Sequence, residues 1–292
     1  MDAVIAYVNG EDPQWARSYA AKFGSVPAAN RFRDYGTLPY LLRSIAKNMP
    51  FIENVHLLVS GDSQIPDWAN RDAVRIVRHR EFIPKRHLPI FNSSSIEMYL
   101  HRIPGLDRRF IYFNDDMFVL KPCQETDFFD GDKPVIWVPS VPVPSEVNIF
   151  QSTVLNSCLL ACRLSGKRIK PGRMLKPQHA PTPMNADIHR LVESQAGEAM
   201  EASISPLRER KNLNQYLFSD YCHLTGFCKR MPLDFSYLDF GKGLDVIKDR
   251  IIHPRRALMC INDSGCTGDF KAAAAKVAEA LRTLFPNPCK YE

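Results

Sequence analysis

The run Phe110-Ile-Tyr-Phe113 is followed at once by Asn114-Asp115-Asp116, after which apolar residues resume at Met117-Phe-Val119. Consecutive apolar and aromatic residues of this kind read as a buried strand. Two adjacent carboxylates at its carboxyl end are poor core residues, because unpaired buried charge is expensive. A divalent cation with a phosphate-bearing ligand would supply the missing positive charge. The plainer alternative is a strand that ends in a solvated Asp turn.

Further apolar runs at 2–8, 54–60, 74–77 and 258–261 read as strands, and helices are expected at 15–23, 38–48, 96–103, 148–164, 187–202, 207–224 and 270–285. Strands alternating with helices at this spacing argue for an α/β fold. The expected core is a mainly parallel, Rossmann-like or GT-A-like sheet with helices on both faces and a helical insertion. The first strand stops at Asn9-Gly10-Glu11-Asp12-Pro13, where a doubly wound sheet commonly places a nucleotide. Pro139, Pro142 and Pro144 make 135–143 an edge strand or an extended loop.

The 292 residues suffice for one large α/β domain with insertions or for two small domains, and no run approaches the ~18 apolar residues of a membrane span. Without a basic, apolar leader at Met1, cytoplasmic residence is the default expectation. The net charge of +6 is spread among acidic residues. The densest basic cluster, Lys167-Arg-Ile-Lys-Pro-Gly-Arg173, faces an anionic substrate, a membrane surface or plain solvent, a solvated loop being the commonest case, and no motif points to nucleic acid. Eight cysteines without a C-x-x-C pair suit free thiols better than zinc ligands.

Three other stretches carry chemistry. Arg31 and Arg33 beside Asp34 form either a surface ion-pair cluster or a diphosphate clamp, for which arginine geometry is suited. His179, stiffened by Pro181 and Pro183, is either an incidental loop residue or a rigidly presented general base or nucleophile. Asn262-Asp263 repeats the apolar-run-then-acid pattern of 110–116, so the two carboxylate ends can converge on one metal.

Together these stretches resemble the Stealth family of sugar-phosphate transferases, which includes bacterial capsule polymerases and the α/β subunit of the animal lysosomal-enzyme GlcNAc-1-phosphotransferase. Four characteristic regions appear in order. The first matches 2–10 with Asp12-Pro13. The second, the longest, covers Arg31-Phe-Arg-Asp-Tyr-Gly36, Leu41-Leu-Arg-Ser-Ile45, Leu88-Pro-Ile-Phe-Asn-Ser93, Ile96-Glu97, His101-Arg-Ile-Pro-Gly-Leu106 and 110–116. The third is His179-Ala-Pro181 with Leu207-Arg208 and Asn212. The fourth is Cys260-Ile-Asn-Asp263 with Phe285-Pro-Asn-Pro288 and Tyr291-Glu292. Ala6-Tyr7 and Lys211-Asn212 depart from the common pattern, the latter weakening the assignment of Arg208.

The resemblance implies one catalytic domain, with a nucleotide-sugar-binding half at 1–125, a mainly helical insertion carrying the His179 loop at 126–256, and a closing strand and helix at 257–292. It implies transfer of a hexose-1-phosphate from a UDP-sugar to a glycan hydroxyl in capsule or cell-surface polysaccharide synthesis, with UMP released. Its implied catalytic residues are His179, Asp116, Arg208 and Asp2. Asp115, Asp116 and Asp263 would hold Mg²⁺ or Mn²⁺. Asn9, Gly10, Arg31, Arg33, Asp34, Asn92, Asn114 and Asn262 would bind substrate. The partners implied are a nucleotide-sugar donor and a glycan acceptor, with a peripheral contact to the inner face of a bacterial membrane by analogy. A metal-dependent glycosyltransferase releasing UDP and a non-catalytic nucleotide-sugar-binding protein are the competing expectations.

Overall fold

In β1 (Asp2–Ala6) alternate side chains face opposite ways, and both directions are buried. Ala3 and Ile5 enter one hydrophobic cluster while Val4 enters another, so the strand needs a packed layer on each side. A computed structural model describes every residue of the chain except Ala29, Asn30, Ser264, Gly265 and Thr267.

Asp12 caps α1 (Pro13–Phe23) by accepting from the backbone N–H groups of Gln14 and Trp15, and Gly24 ends it in the left-handed region. In α2 (Leu38–Asn48) the buried Leu38, Leu41, Leu42 and Ile45 fall on one helical face. Then come β2 (Asn54–Val59), β3 (Val74–Arg78), the short α3 (His79–Phe82) and α4 (Ser93–Glu97), β4 (Arg109–Asn114) and β5 (Met117–Val119). Parallel pairing sets Asp2 level with both Asn54 and Phe110, and β3 extends the ladder beyond β2.

The second half supplies β6 (Phe129–Asp130), β7 (Lys133–Ile136), β8 (Ser140–Pro142), α5 (Ile149–Ser165), β9 (Arg173–Leu175), β10 (Thr182–Asn185), α6 (Ala186–Ser203) and α7 (Tyr216–Thr225). It closes with β11 (Lys229–Arg230), β12 (Phe235–Asp239), α8 (Leu244–Ile252), β13 (Leu258–Asn262) and α9 (Phe270–Leu284). The central sheet runs β10-β4-β1-β2-β3, parallel except for β10. Helices α2, α8 and α9 pack on one face, and α5, α6 and α7 on the other. This is the expected α/β architecture with a mainly parallel sheet. No helix among the described residues is long and apolar enough to cross a membrane.

Two expected helices differ. The helix expected at 207–224 begins only at Tyr216, and 207–215 is a loop. Its Asn residues bind backbone instead: Asn212 Nδ2 donates to the Ser203 carbonyl, and Asn214 Oδ1 accepts from Tyr216 N–H. The helix expected at 96–103 is α4 followed by a separate 3₁₀ turn at Leu100–Arg102.

Asp2 occupies the amino end of β1, one residue in a buried polar knot. Its carboxylate accepts from Asn54 Nδ2 at 2.7 Å and Asp107 N–H at 3.0 Å, and lies 2.8 Å from His56 Nε2. Burial pushes the carboxyl pKa up, but the bonds from His56, Asn54 and Asp107 outweigh it and hold the group below its ordinary range. The parallel register leaves Asp2 roughly 16 Å of strand away from Asp115, so it does not join the carboxyl-end residues.

Asp2→Ala is therefore expected to cost about 3 kcal/mol, because three partners, the buried His56 among them, lose their acceptor. Urea unfolding checks the value. Because the folded pKa is depressed, the contribution is present above the unfolded carboxylate pKa and disappears as pH falls through the folded one. A variant stable to within about 0.5 kcal/mol yet inactive would return Asp2 to the catalytic group.

Candidate active site

Asp115 and Asp116 form the half-buried turn between β4 and β5, and three strand pairings bring distant residues to them. First, β1 ends beside β4 with Ala6 level with Asn114, so residues 7–10 run alongside the turn. Second, β13 returns antiparallel to β5, with Cys260 level with Met117 and Ile261 N–H donating to the Asp116 carbonyl at 2.9 Å. Cys260 Sγ consequently lies 3.3 Å from Asp116 Oδ2, and Asp263 follows just past the end of β13. Third, antiparallel β10 places Thr182 level with Tyr112. The bend just before β10 consequently carries His179 to the Asp115-Asp116 turn. One ligand-type atom from each of Asp116, His179 and Cys260 lies within 4.8 Å of the others.

The loop at 31–36 closes the other side. Phe32 is held between Gly10 and Trp15: Gly10 N–H donates to the Phe32 carbonyl at 2.9 Å, and the Phe32 and Trp15 rings are 4.8 Å apart. A Cβ at Gly10 would stand 2.5 Å from that carbonyl oxygen, so glycine is what permits this approach. Arg33 then reaches Asp263 at 3.5 Å, with its guanidinium over the Phe270 ring at 4.5 Å. Asp34 accepts from Tyr7 O–H at 2.7 Å and from Gly36 N–H.

Asp34, Asp115, Asp116 and Asp263 thus share one neighbourhood. Burial, then Asp116 and Asp34, raises the Asp115 pKa well above the carboxylate range. Burial also raises Asp116, against the opposing pull of His179 and the Cys260 thiol, and raises Asp263 against Arg33. Asp116 Oδ1 is buried with no hydrogen-bond partner among the described residues. An orphaned carboxylate oxygen among crowded acids fits a cation. The hard oxygen donors suit Mg²⁺ or Mn²⁺, and burial keeps the Cys260 thiol protonated. His179 is pushed toward its neutral form by burial, with Asp116 opposing and Arg208 and Lys176 reinforcing. Its Nδ1 lies 3.3 Å from the Tyr216 hydroxyl.

The remaining sequence-derived residues divide. Arg208 binds Ser93 Oγ at 2.7 Å and lies near Arg31 and the buried Glu97. Burial pushes Glu97 up to about 7, opposed by Gln215 N–H and Arg208. Asn114 and Asn262 end β4 and β13 beside the acids. Asn9 is occupied by local bonds, accepting from Glu11 N–H while its backbone pairs with Gln64. Asn92 is a correction: it is fully buried, and its amide bridges Ser95, Leu207 and Asn212, so it ties the Arg208 loop to α4 rather than facing a ligand. Gly10 likewise serves the packing of the arginine loop. Cys260, Tyr216 and Glu97 also stand beside these groups without a sequence motif that assigns them; only Glu97, a lone acid after three serines in α4, offers a local signal.

A family model described as Stealth protein CR2, conserved region 2, matches residues 31–135, which contain the arginine loop, β4 and the Asp pair. The exopolysaccharide phosphotransferase cps2G of Lactiplantibacillus plantarum is 39% identical over 328 residues, covering 100% of this chain and 96% of the relative. The capsular polysaccharide phosphotransferase eps5J of Streptococcus thermophilus is 41% identical over 143 residues, which span 46% of this chain and 59% of that relative. Among solved structures, the galactosyltransferase LgtC with donor and acceptor sugar analogues aligns over 99% of this chain and 98% of its own at 14% identity and a TM-score of 0.46. At that distance it bears on neither mechanism nor substrate.

Gly10→Ala is expected to displace the arginine loop, since the new Cβ meets backbone rather than a side-chain tip. Limited trypsin digestion should cut faster after Arg31 and Arg33, with stability lowered by about 1–3 kcal/mol. Unchanged cleavage would show that the loop does not depend on this contact.

Proposed function

Because the chain belongs to the Stealth family of sugar-phosphate transferases, we propose that it transfers a hexose-1-phosphate, of the N-acetylhexosamine-1-phosphate class, from a UDP-sugar to a glycan hydroxyl and releases UMP. Relatives named as polysaccharide phosphotransferases support capsule or cell-surface polymer synthesis as the setting. The observation that carries the mechanism is the meeting of His179 with the Asp115-Asp116 turn, at a site whose burial favours the neutral imidazole.

His179 is the general base. With Nδ1–H donated to the Tyr216 hydroxyl, Nε2 is left unprotonated to take the acceptor's proton. The acceptor oxygen attacks the sugar-proximal phosphorus. An O–P bond forms there, the bridging P–O bond breaks, and its electron pair leaves with UMP. Arg31, Arg33 and Arg208 face the diphosphate, where guanidinium forks neutralise non-bridging oxygens. Asp116, with Asp115 and Asp263, would hold Mg²⁺ or Mn²⁺, which supplies further charge neutralisation when bound. The Asn9-Gly10 turn contributes by fixing the arginine loop.

A second arrangement has its own observation. The Asp116, His179 and Cys260 trio has the donor set of a zinc-type site, and His179 would then be a ligand rather than a base.

His179→Ala should lower turnover by about 10²–10⁴-fold with an unchanged thermal melt. The assay is nucleotide release from UDP-GlcNAc and related UDP-sugars with a panel of saccharide acceptors. UMP supports the reading, UDP would replace it by anomeric transfer, and wild-type turnover in the variant would remove the base.

Chelation should abolish activity, and Mg²⁺ or Mn²⁺ should restore it. Cys260→Ser separates the two metal arrangements. Restoration unaffected by that change fits the carboxylate set, whereas recovery only with Zn²⁺, lost in Cys260→Ser, would select the trio.

A further inference from the structure

Where the β8–β9 ribbon meets the first turn of α5, the surface is hollowed. One hollow of about 240 Å³ is lined by Val141, Pro142, Phe150, Gln151, Met174 and Lys176, among others. A more open one of about 610 Å³ is lined by Glu146, Asn148, Gln151 and Arg210, among others. Gln151 lines both, so the two form one trough across the amino end of α5. Asp115 and Asp116 line neither, and the mechanism above leaves the trough unused.

The trough nevertheless lies close to the reaction centre, behind the buried Tyr216. Phe150, 40% exposed, packs edge-on to Tyr216 with ring centres 6.3 Å apart, and the Tyr216 hydroxyl is 3.3 Å from His179 Nδ1. One aromatic ring therefore separates the trough from the base. Three residues before His179, Lys176 lines the same trough, its backbone N–H bound to the Pro139 carbonyl. Away from His179, the ribbon leads to Arg173, paired with Pro142, and to the exposed Lys167, Arg168 and Lys170.

We propose that this trough binds the acceptor, a saccharide bearing phosphodiester groups, with Phe150 under a sugar ring and Lys176 toward the anionic linkage. The chemistry of the lining selects that occupant. An exposed ring and prolines accept the C–H face of a pyranose, the side-chain amides face hydroxyls, and the cations face phosphate. The assignment rests on the transfer proposed above, because each transfer to a saccharide leaves one phosphodiester in the product. A product that is extended again presents that charge next to the basic ribbon.

The test is calorimetric titration of the full chain with a phosphodiester-linked oligosaccharide and with the same oligosaccharide after phosphate removal. Phe150→Ala should weaken both about tenfold, as expected for loss of a stacked ring. Lys176→Glu should weaken the phosphodiester-linked one alone and leave the affinity for the neutral one unchanged. Thermal melts verify that both variants, altered at surface positions, are folded. Wild-type affinity in both variants, or no saccharide binding by the wild type, overturns the trough. The nucleotide assay decides the transfer reading separately. UMP release with unaltered binding in the variants overturns the trough alone, whereas UDP release with weakened binding overturns phosphoryl transfer and supports the trough.

Discussion

Like charges forced together at the edge of a core govern this structure. Asp115 and Asp116 are adjacent in sequence, half-buried, and joined by Asp34 and Asp263. Water cannot fully solvate them there, so their ionised forms are disfavoured until positive charge arrives. Arg33 supplies part of it through Asp263. The rest of the architecture keeps those acids in place without relieving them, a condition that only added positive charge relieves.

The means of assembly is sheet register. A parallel sheet alone gathers the carboxyl ends of β1 and β4. The other contributors come from antiparallel strands, β10 carrying the His179 segment and β13 carrying Cys260 and Asp263. Both run against their neighbours, so the residues before β10 and those after β13 emerge at the same end of the molecule. On the opposite side, the aromatic packing of Trp15 and Phe32 sets the arginine loop at a fixed distance from β1.

Local pattern made much of this frame legible. The apolar run at 110–113 and its abrupt acidic stop mark β4 and its turn, because burial and charge cannot mix within a strand. The helical periods of α2 and α9 are equally plain. The Arg208 loop was not legible: 207–224 has helical composition, and only long-range bonds from Asn92 and Asn212 show that its first part is pinned as a loop. Asn92 stands among the substrate contacts only through the resemblance, and its place as a buried strut depends on partners, Leu207 and Asn212, far away in the chain. Cys260 sits in an unbroken apolar run, and its closeness to Asp116 depends on a pairing between residues far apart in the chain. Nothing local encodes that.

The outer strands of the central sheet have a bearing beyond the site. An open sheet ends in rows of unpaired backbone groups that can recruit another chain. Here β10, one boundary, contains Pro183, which has no N–H to offer a newcomer. The opposite boundary, β3, has Arg75 and Arg78 in five residues, with Arg75 exposed. Growth by strand addition is thus discouraged at both margins of a sheet this apolar.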